Sequence, residues 1–316
     1  MKEQITNWFK SLQDDICAAL EQEDGKGKFT EDNWIREEGG GGRTRILQNG
    51  NVIEKGGVNY SEVYGDVPDF LNNENPIAKS AKNTFYATGV SIVIHPHNPM
   101  VPIIHMNVRY FEMTSPESSV LDGHSSHSIE DKGVKWWFGG GIDLTPHYIN
   151  EEDAVFFHSS LKTACDKHSP DYYRDFKKWA DDYFFITHRK ETRGIGGIFF
   201  DKLSQTPDYT KDQLFSFIQE IGNSFAPVYT LLMNKNKNKS YTEENKEWQL
   251  LRRGRYVEFN LVYDKGTKFG LESNGRIESI LMSLPKTAGW SYNFTPSIGS
   301  PEEKTLFLLK KGVDWI

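Results

Sequence analysis

The stretch Gly89–Glu112 reads GVSIVIHPHNPMVPIIHMNVRYFE, two apolar runs, Gly89–His95 and Ile103–Glu112, either side of a Pro-rich turn. A strand turns successive side chains to opposite faces, so Ser91 and His95 share a face in the first run, as do His105, Asn107 and Arg109 in the second. Ile92, Ile94, Met106, Val108 and Tyr110 take the other face. If the turn Pro96–Pro102 pairs residues of equal parity, both polar sets meet on one surface of a hairpin. A slip of one residue would scatter them. Half-buried antiparallel sheets normally show a polar face to water, but such faces carry Lys, Glu and Thr more often than Ser, Asn, Arg and paired His. The pattern predicts a site.

Outward from this hairpin the chain reads as strands, then helices, then strands. Ile5, Trp8, Phe9, Leu12, Ile16, Ala19 and Leu20 recur at helical spacing over about Lys2–Gln22. Strand-like runs follow at Phe29–Glu37, Gly42–Asn49 and Val52–Val58, and after the hairpin at Trp136–Leu144. Met113–Lys135 is rich in Ser, Gly and charge and is expected to be a surface loop. Asn150 before Glu151-Glu152-Asp153, Ser169-Pro170, and Thr210 with Gln213 each mark a helix start; polar Asn234–Ser240 breaks the third helix. Tyr256–Tyr263, Thr267–Leu271 and Arg276–Leu284 read as strands, and Ser300-Pro301 with Glu303 opens a last helix. This order predicts an α+β fold, a single domain over residues 1–316 with a large antiparallel β-sheet flanked by helices on both faces.

Composition narrows the function classes. With 316 residues and 37% hydrophobic content the chain can bury a large core. A formal charge of −7 argues against a nucleic-acid surface, which needs a basic field to displace counterions. Cys17 and Cys165 stand alone, too few for a disulfide framework, a thiolate zinc site or an iron–sulfur cluster. No signal-like segment and no run long enough to span a bilayer is visible, so a cytoplasmic location is expected.

Three further constellations carry chemistry. In Trp136–Pro146, WWFGGGIDLTP, Asp143 follows three glycines that admit a close ligand or a second backbone; the alternative is a bulge with Asp143 capping a turn. In HRKETRGIGG, His188–Gly197, the order helix, glycines, strand is the reverse of a phosphate loop, so no nucleotide site is expected. Arg189 and Arg193 lie four apart, on one face if the helix extends that far, and suit a carboxylate ligand or, equally, a solvated helix end. Arg252, Arg253, Arg255 and Arg276 cluster near predicted strand starts, as an anion pocket or as surface ion pairs. His95, His105, His158 and His188 have no metal-binding spacing, and His97, His124, His127, His147 and His168 are given no role.

Taken together, Gly89–Pro99, His105–Glu112, Trp136–Pro146, His188–Asp201, Arg252–Leu271 (RRGRYVEFNLVYDKGTKFGL) and Arg276–Pro285 (RIESILMSLP) resemble oxygen-dependent coproporphyrinogen III oxidases, in the family's order. The early run Gly39–Gly42 with Arg43, and Val58-Asn59-Tyr60-Ser61, resemble the family's N-terminal part. The resemblance implies oxidative decarboxylation of two propionates of coproporphyrinogen III to vinyl groups, with O2 consumed and no organic cofactor. It implies Ser91, Asn107, Val108, Arg109, Asn274, Gly275 and Arg276 as substrate-binding residues, and His105 as proton donor. It also implies a divalent metal ion on His95, His105, His158 and His188, and a homodimer in contact through Tyr256–Ser291. Asn274-Gly275-Arg276 stands where the family usually has Gly-Gly-Arg, and Thr114–Lys135 is longer than usual.

A tetracarboxylate macrocycle with four N–H donors requires cations at the rim and a carboxylate near its centre. Arg109, Arg276, Arg189 and Arg193 are expected to supply the first, and Asp143 the second, accepting directly from pyrrole N–H groups. His105, Asp143 and Arg109 are the expected catalytic residues. Two rival classes remain: a metal-dependent hydrolase using the histidines, and a non-catalytic tetrapyrrole-binding protein.

Overall fold

A computed structural model describes residues 1–67, 83–114, 134–272 and 275–316. Asn274 and most of the stretch Thr114–Lys135 lie outside the described residues, so the expectations attached to them meet no observation.

Helix α1 (Lys2–Asp24) buries Ile5, Phe9, Leu12, Ile16 and Leu20, each at most 2% exposed, as its periodicity requires. Gly25 ends it in the left-handed region at φ 77° and donates its N–H to the Glu21 carbonyl. Asp24 is itself buried and accepts from the backbone N–H groups of Gly27, Asn51, Val52 and Ile53 at 2.6–2.9 Å. Burial alone would raise its pKa, but these four bonds hold it below the ordinary carboxylate value.

Six strands then run as an antiparallel meander: β1 (Thr30–Ile35), β2 (Gly40–Gln48), β3 (Ile53–Asp66), β4 (Thr84–Pro96), β5 (Ile103–Thr114) and β6 (Val134–Thr145). Helices α2 (Glu151–Asp166) and α3 (Tyr172–Tyr183) follow, then a two-stranded hairpin, β7 (Phe185–Ile186) and β8 (Glu191–Thr192). Strand β9 (Gly196–Leu203) returns to pair with β6, giving a sheet in the order β1-β2-β3-β4-β5-β6-β9. After it come α4 (Lys211–Asn236), α5 (Glu243–Val262), α6 (Lys265–Glu272), α7 (Ile277–Leu281) and α8 (Pro301–Leu308).

The Asn150 cap, the Thr210–Gln213 capping box and the Ser300 cap all form as the sequence predicts. At α3 the helix begins two residues later, behind Asp171, while Ser169 Oγ accepts from the Asp171 N–H at 3.4 Å in the turn before it.

The register pairs Ser91 with Asn107 and Val93 with His105, so odd residues share one face. The even face is the main core. Val90, Ile92, Ile94, Ile104, Met106, Val108 and Tyr110 are all fully buried there, in one cluster with α1, α2 and α4 residues such as Phe9, Phe157 and Phe225. Each such side chain contributes about 1.5–3 kcal/mol.

The three strands predicted after residue 255 are helices instead. Tyr256–Tyr263 lies in the second half of α5 and its C-cap, Thr267–Leu271 in α6, and Arg276–Leu284 contains α7. Tyr256, Phe259 and Asn260 are buried at helical spacing, while Leu261 and Val262 are each 47% exposed. Those exposed apolar residues produced the false alternation. Arg252 and Arg253, read as an anion pocket or as surface ion pairs, are 2% and 1% exposed in α5 and form buried pairs with Glu191 and Glu54.

Candidate active site

The odd face of the sheet is organised in cross-strand rows, because directly opposed residues point the same way. One row runs Asp32, Thr44, Asn59, Ser91, Asn107, Gly141, Phe199 from β1 to β9. The next carries Gly57, Val93, His105, Asp143 and Gly197. On the other side lie Ser61, Gly89, Arg109 and Gly139, a row whose one long side chain is Arg109. Helix α5 and the segment around α7 cover part of this face: Asn59 Nδ2 donates to the Ser279 carbonyl at 2.8 Å, and Thr44 Oγ1 lies 2.6 Å from Ser279 Oγ.

His105 and Asp143 face each other across β5 and β6, with Nδ1 2.6 Å from Oδ1. The other carboxylate oxygen, Oδ2, accepts from Arg193 Nη2. Asp143 and Arg193 are 2% and 3% exposed. Burial alone would raise the Asp143 pKa, but the Arg193 charge and the hydrogen bonds from His105 and Arg193 hold it below the usual carboxylate range; burial alone would lower that of Arg193, but Asp143 raises it. The pair is therefore ionised, and an ionised carboxylate only accepts. His105 thus donates its Nδ1–H to Asp143, with Nε2 on the opposite edge of the ring.

Arg193 is itself caged. Its guanidinium carbon lies 4.3, 4.6 and 4.8 Å from the ring centroids of Phe184, Tyr256 and Phe259, and Nη1 donates to Asn260 Oδ1 at 3.1 Å. Helix α3 ends at Tyr183, and a turn at Thr187–Lys190, with Lys190 at φ 57°, sends Arg189 and Arg193 to different places. Arg189 makes a bidentate pair with Glu258, at 2.9 and 2.7 Å. The shared helix face for these two arginines does not exist, and the fork of Arg193 serves Asp143. Asp143 in turn accepts from His105 with Oδ1 and from Arg193 with Oδ2.

Arg109 lies on the same face, its side chain 35% exposed. Its Nη1 donates to Asn107 Oδ1 at 2.8 Å and its Nη2 lies 2.9 Å from Asp201 Oδ1. Arg276 pairs with Asp32 at the far end of the Ser91–Asn107 row. That is four strand spacings from β5, about 19 Å. Gly275 precedes it, with its N–H bonded to the Gly270 carbonyl. Val108 points into the core. Any contact it makes with ligand comes from its backbone.

The four histidines do not converge. His95 is buried with Nε2 2.8 Å from the Ser283 carbonyl, and burial pushes its pKa down to about 3. His158 in α2 sits between Tyr173 Oη at 2.9 Å and the Ile195 carbonyl at 3.0 Å. His188 bridges Tyr263 and Glu258, each at 2.7 Å. The rings keep separate sets of partners, and among the described residues no group of three or more His, Cys, Asp or Glu can hold an ion. The implied metal set does not fit this chain.

Sequence reasoning missed Asp201, Asn260, Phe184 and Asn59. Asp201 stood in plain view at the end of Ile198-Phe199-Phe200-Asp201, sharing the parity of Phe199. The others depend on contacts between distant elements.

The family model for coproporphyrinogen III oxidase matches residues 4–315. The chain is 49% identical over 311 residues to coproporphyrinogen-III oxidase 1, chloroplastic, of Arabidopsis thaliana, covering 97% of this chain and 77% of that protein. It is 45% identical over 338 residues to the oxygen-dependent coproporphyrinogen-III oxidase of Prochlorococcus marinus (strain MIT 9312), covering 100% and 93%. With the mitochondrial oxygen-dependent enzyme of Homo sapiens it shares 49% over 323 residues, covering 100% and 67%.

Proposed function

The chain belongs to the coproporphyrinogen III oxidase family, and from that premise we propose that His105, Asp143 and Arg109 process the propionates of the substrate one at a time. The activity is an oxygen-dependent oxidoreduction of haem biosynthesis: two propionates of coproporphyrinogen III become vinyl groups, giving protoporphyrinogen IX. For each propionate, one O2 is reduced to H2O2 while CO2 leaves and the side chain loses two electrons.

The observation that carries the residue assignment is the chain Arg193–Asp143–His105, lying on the same sheet face as Arg109. Arg109 binds the carboxylate of the reacting propionate and Arg276 a more distant one, with Ser91 and Asn107 between them on the floor. The Nε2 edge of His105 accepts a pyrrole proton, and the ionised Asp143 stabilises the resulting imidazolium. The reduced macrocycle is the electron source, so protein groups supply orientation and charge. No step is routed through a metal.

We further propose a homodimer in contact through Tyr256–Ser291. Ile277 and Trp290, 59% and 57% exposed, together with Leu261, Val262 and Leu271, give this segment an apolar surface. No helix among the described residues is long and apolar enough to cross a membrane, and a cytoplasmic location completes the reading.

The test is incubation of purified protein with coproporphyrinogen III in air, with products oxidised and separated. The divinyl porphyrin should form with O2 uptake and CO2 release. Binding without turnover would favour a carrier, and metal-dependent turnover without O2 uptake a hydrolase. Exhaustive chelation should leave the rate unchanged; a loss restored by one divalent ion would refute the assignment of chemistry to protein groups alone.

A further inference from the structure

We propose that Asp201 is a positioning residue for Arg109, held opposite Gly139 at a β-bulge. The inference rests on the reading of Arg109 as the carboxylate-binding cation. Strands β6 and β9 pair regularly from Leu144↔Gly196 to Gly140↔Phe200, and then the register breaks, the next pair being Phe138↔Leu203. Two residues of β9, Asp201 and Lys202, therefore oppose the single Gly139. Lys202 adopts φ 54°, a left-handed conformation that a non-glycine residue rarely takes without a structural demand. Bulges turn side chains away from the direction a regular ladder would give them, and they gather beside active sites.

Asp201 keeps the parity of Phe199 and so stays on the Arg109 face, with Lys202 as the extra residue, and its carboxylate reaches the guanidinium of Arg109 at 2.9 Å. Gly139 lies directly across from Arg109 in the β5–β6 ladder, between the two. A Cβ there would fall 2.5 Å from Asp201 Oδ1 and 2.8 Å from Arg109 Nη2, so the ion pair occupies the space that the missing side chain leaves. With Asn107 Oδ1 holding Nη1 and Asp201 beside Nη2, the planar fork is fixed on two sides. A fixed fork presents its remaining N–H edge in one orientation, and this costs the substrate less entropy than ordering a free arginine. The middle glycine-rich segment and the bulge thus form one device, with Gly139 providing the gap, Lys202 the strained turn and Asp201 the charge.

The experiment compares wild type with Asp201→Ala, Asp201→Asn, Gly139→Ala, Arg109→Ala and Arg109→Ala/Asp201→Ala, measuring kcat, KM and thermal midpoint. Asp201→Ala should lower kcat/KM about tenfold or more, with kcat falling more than KM rises, since misorientation penalises the reacting geometry most. Asp201→Asn keeps an acceptor oxygen and should recover part of that loss. Gly139→Ala should also lose activity while melting near wild type, because what must yield is the far end of two flexible side chains. In the Arg109→Ala background, Asp201→Ala should have no further effect. Equal losses in both backgrounds, or unchanged kcat/KM in Asp201→Ala, would overturn the positioning role alone. Normal turnover of Arg109→Ala would overturn the reading of Arg109 and this proposal with it.

Discussion

The two faces of strands β4, β5 and β6 are made from alternate residues of the same strands yet obey different rules. On the even face Ile92, Met106 and Ile142 are fully buried with core neighbours on every side. On the odd face Ser91, Asn107 and Arg109 are half-buried, and glycines stand where packing would call for bulk. The first face supplies stability and tolerates little change of volume. The second gives up burial around Ser91, Asn107 and Arg109 to keep room for a ligand, and its deeply buried part sets the Asp143–Arg193 ion pair beside the apolar cluster of Val93, Ile103 and Tyr256.

Asp143→Ala breaks this division most severely. It removes the catalytic orienter and leaves Arg193 charged inside the protein, so turnover should vanish and urea unfolding should show a loss of about 3–5 kcal/mol. The sequence alone would have predicted an intact fold. On the even face, Met106→Ala should cost about 2–5 kcal/mol in the same measurement while kcat per folded molecule stays near wild type. A fall in kcat beyond the folded fraction would show the faces to be coupled.

Acid offers an intermediate test. Burial depresses the pKa of His95 to about 3 and of His158 to about 4, from an ordinary 6.5. Between those values the unfolded chain binds more protons than the folded one, so the stability these rings contribute is complete above pH 6.5 and falls as pH is lowered towards the folded values. The slope is about 1.4 kcal/mol per pH unit for each ring. Urea midpoints at pH 7 and pH 5 should record it, and His158→Gln should flatten it; an unchanged slope would contradict the burial of that ring as a neutral base. The smallest stability effect belongs to Arg109→Met, within about 0.5 kcal/mol as for other exposed sites, although kcat/KM should drop by about 100-fold. A large stability loss there would erase the contrast between the faces.

Most of the site was legible because the relevant signal is local. Alternation over Gly89–Glu112 placed Ser91, His95, His105, Asn107 and Arg109 on one face, and a turn preserving parity brought them together. Asp143 was legible from its glycines, and register then set it opposite His105. Helix α5 was not legible from Tyr256–Tyr263, because a window of eight residues cannot separate alternation from a helix that also exposes Leu261 and Val262. A longer view held the signal: Thr242 and Asn245 form a capping box 14 residues before Tyr256, with Asn in place of the usual Glu or Gln.

The amino-acid order by itself determined the meander, the polar face and the family, since each follows from periodicity or from long motifs read along the chain. Tertiary structure alone decided which charge meets which: that Arg193 serves Asp143, that Arg189 serves Glu258, that His158 and His188 stand apart, and that Asp201 reaches Arg109 across Gly139. Coulombic partners are chosen by distance in space, and the 50 residues between Asp143 and Arg193 carry no record of it.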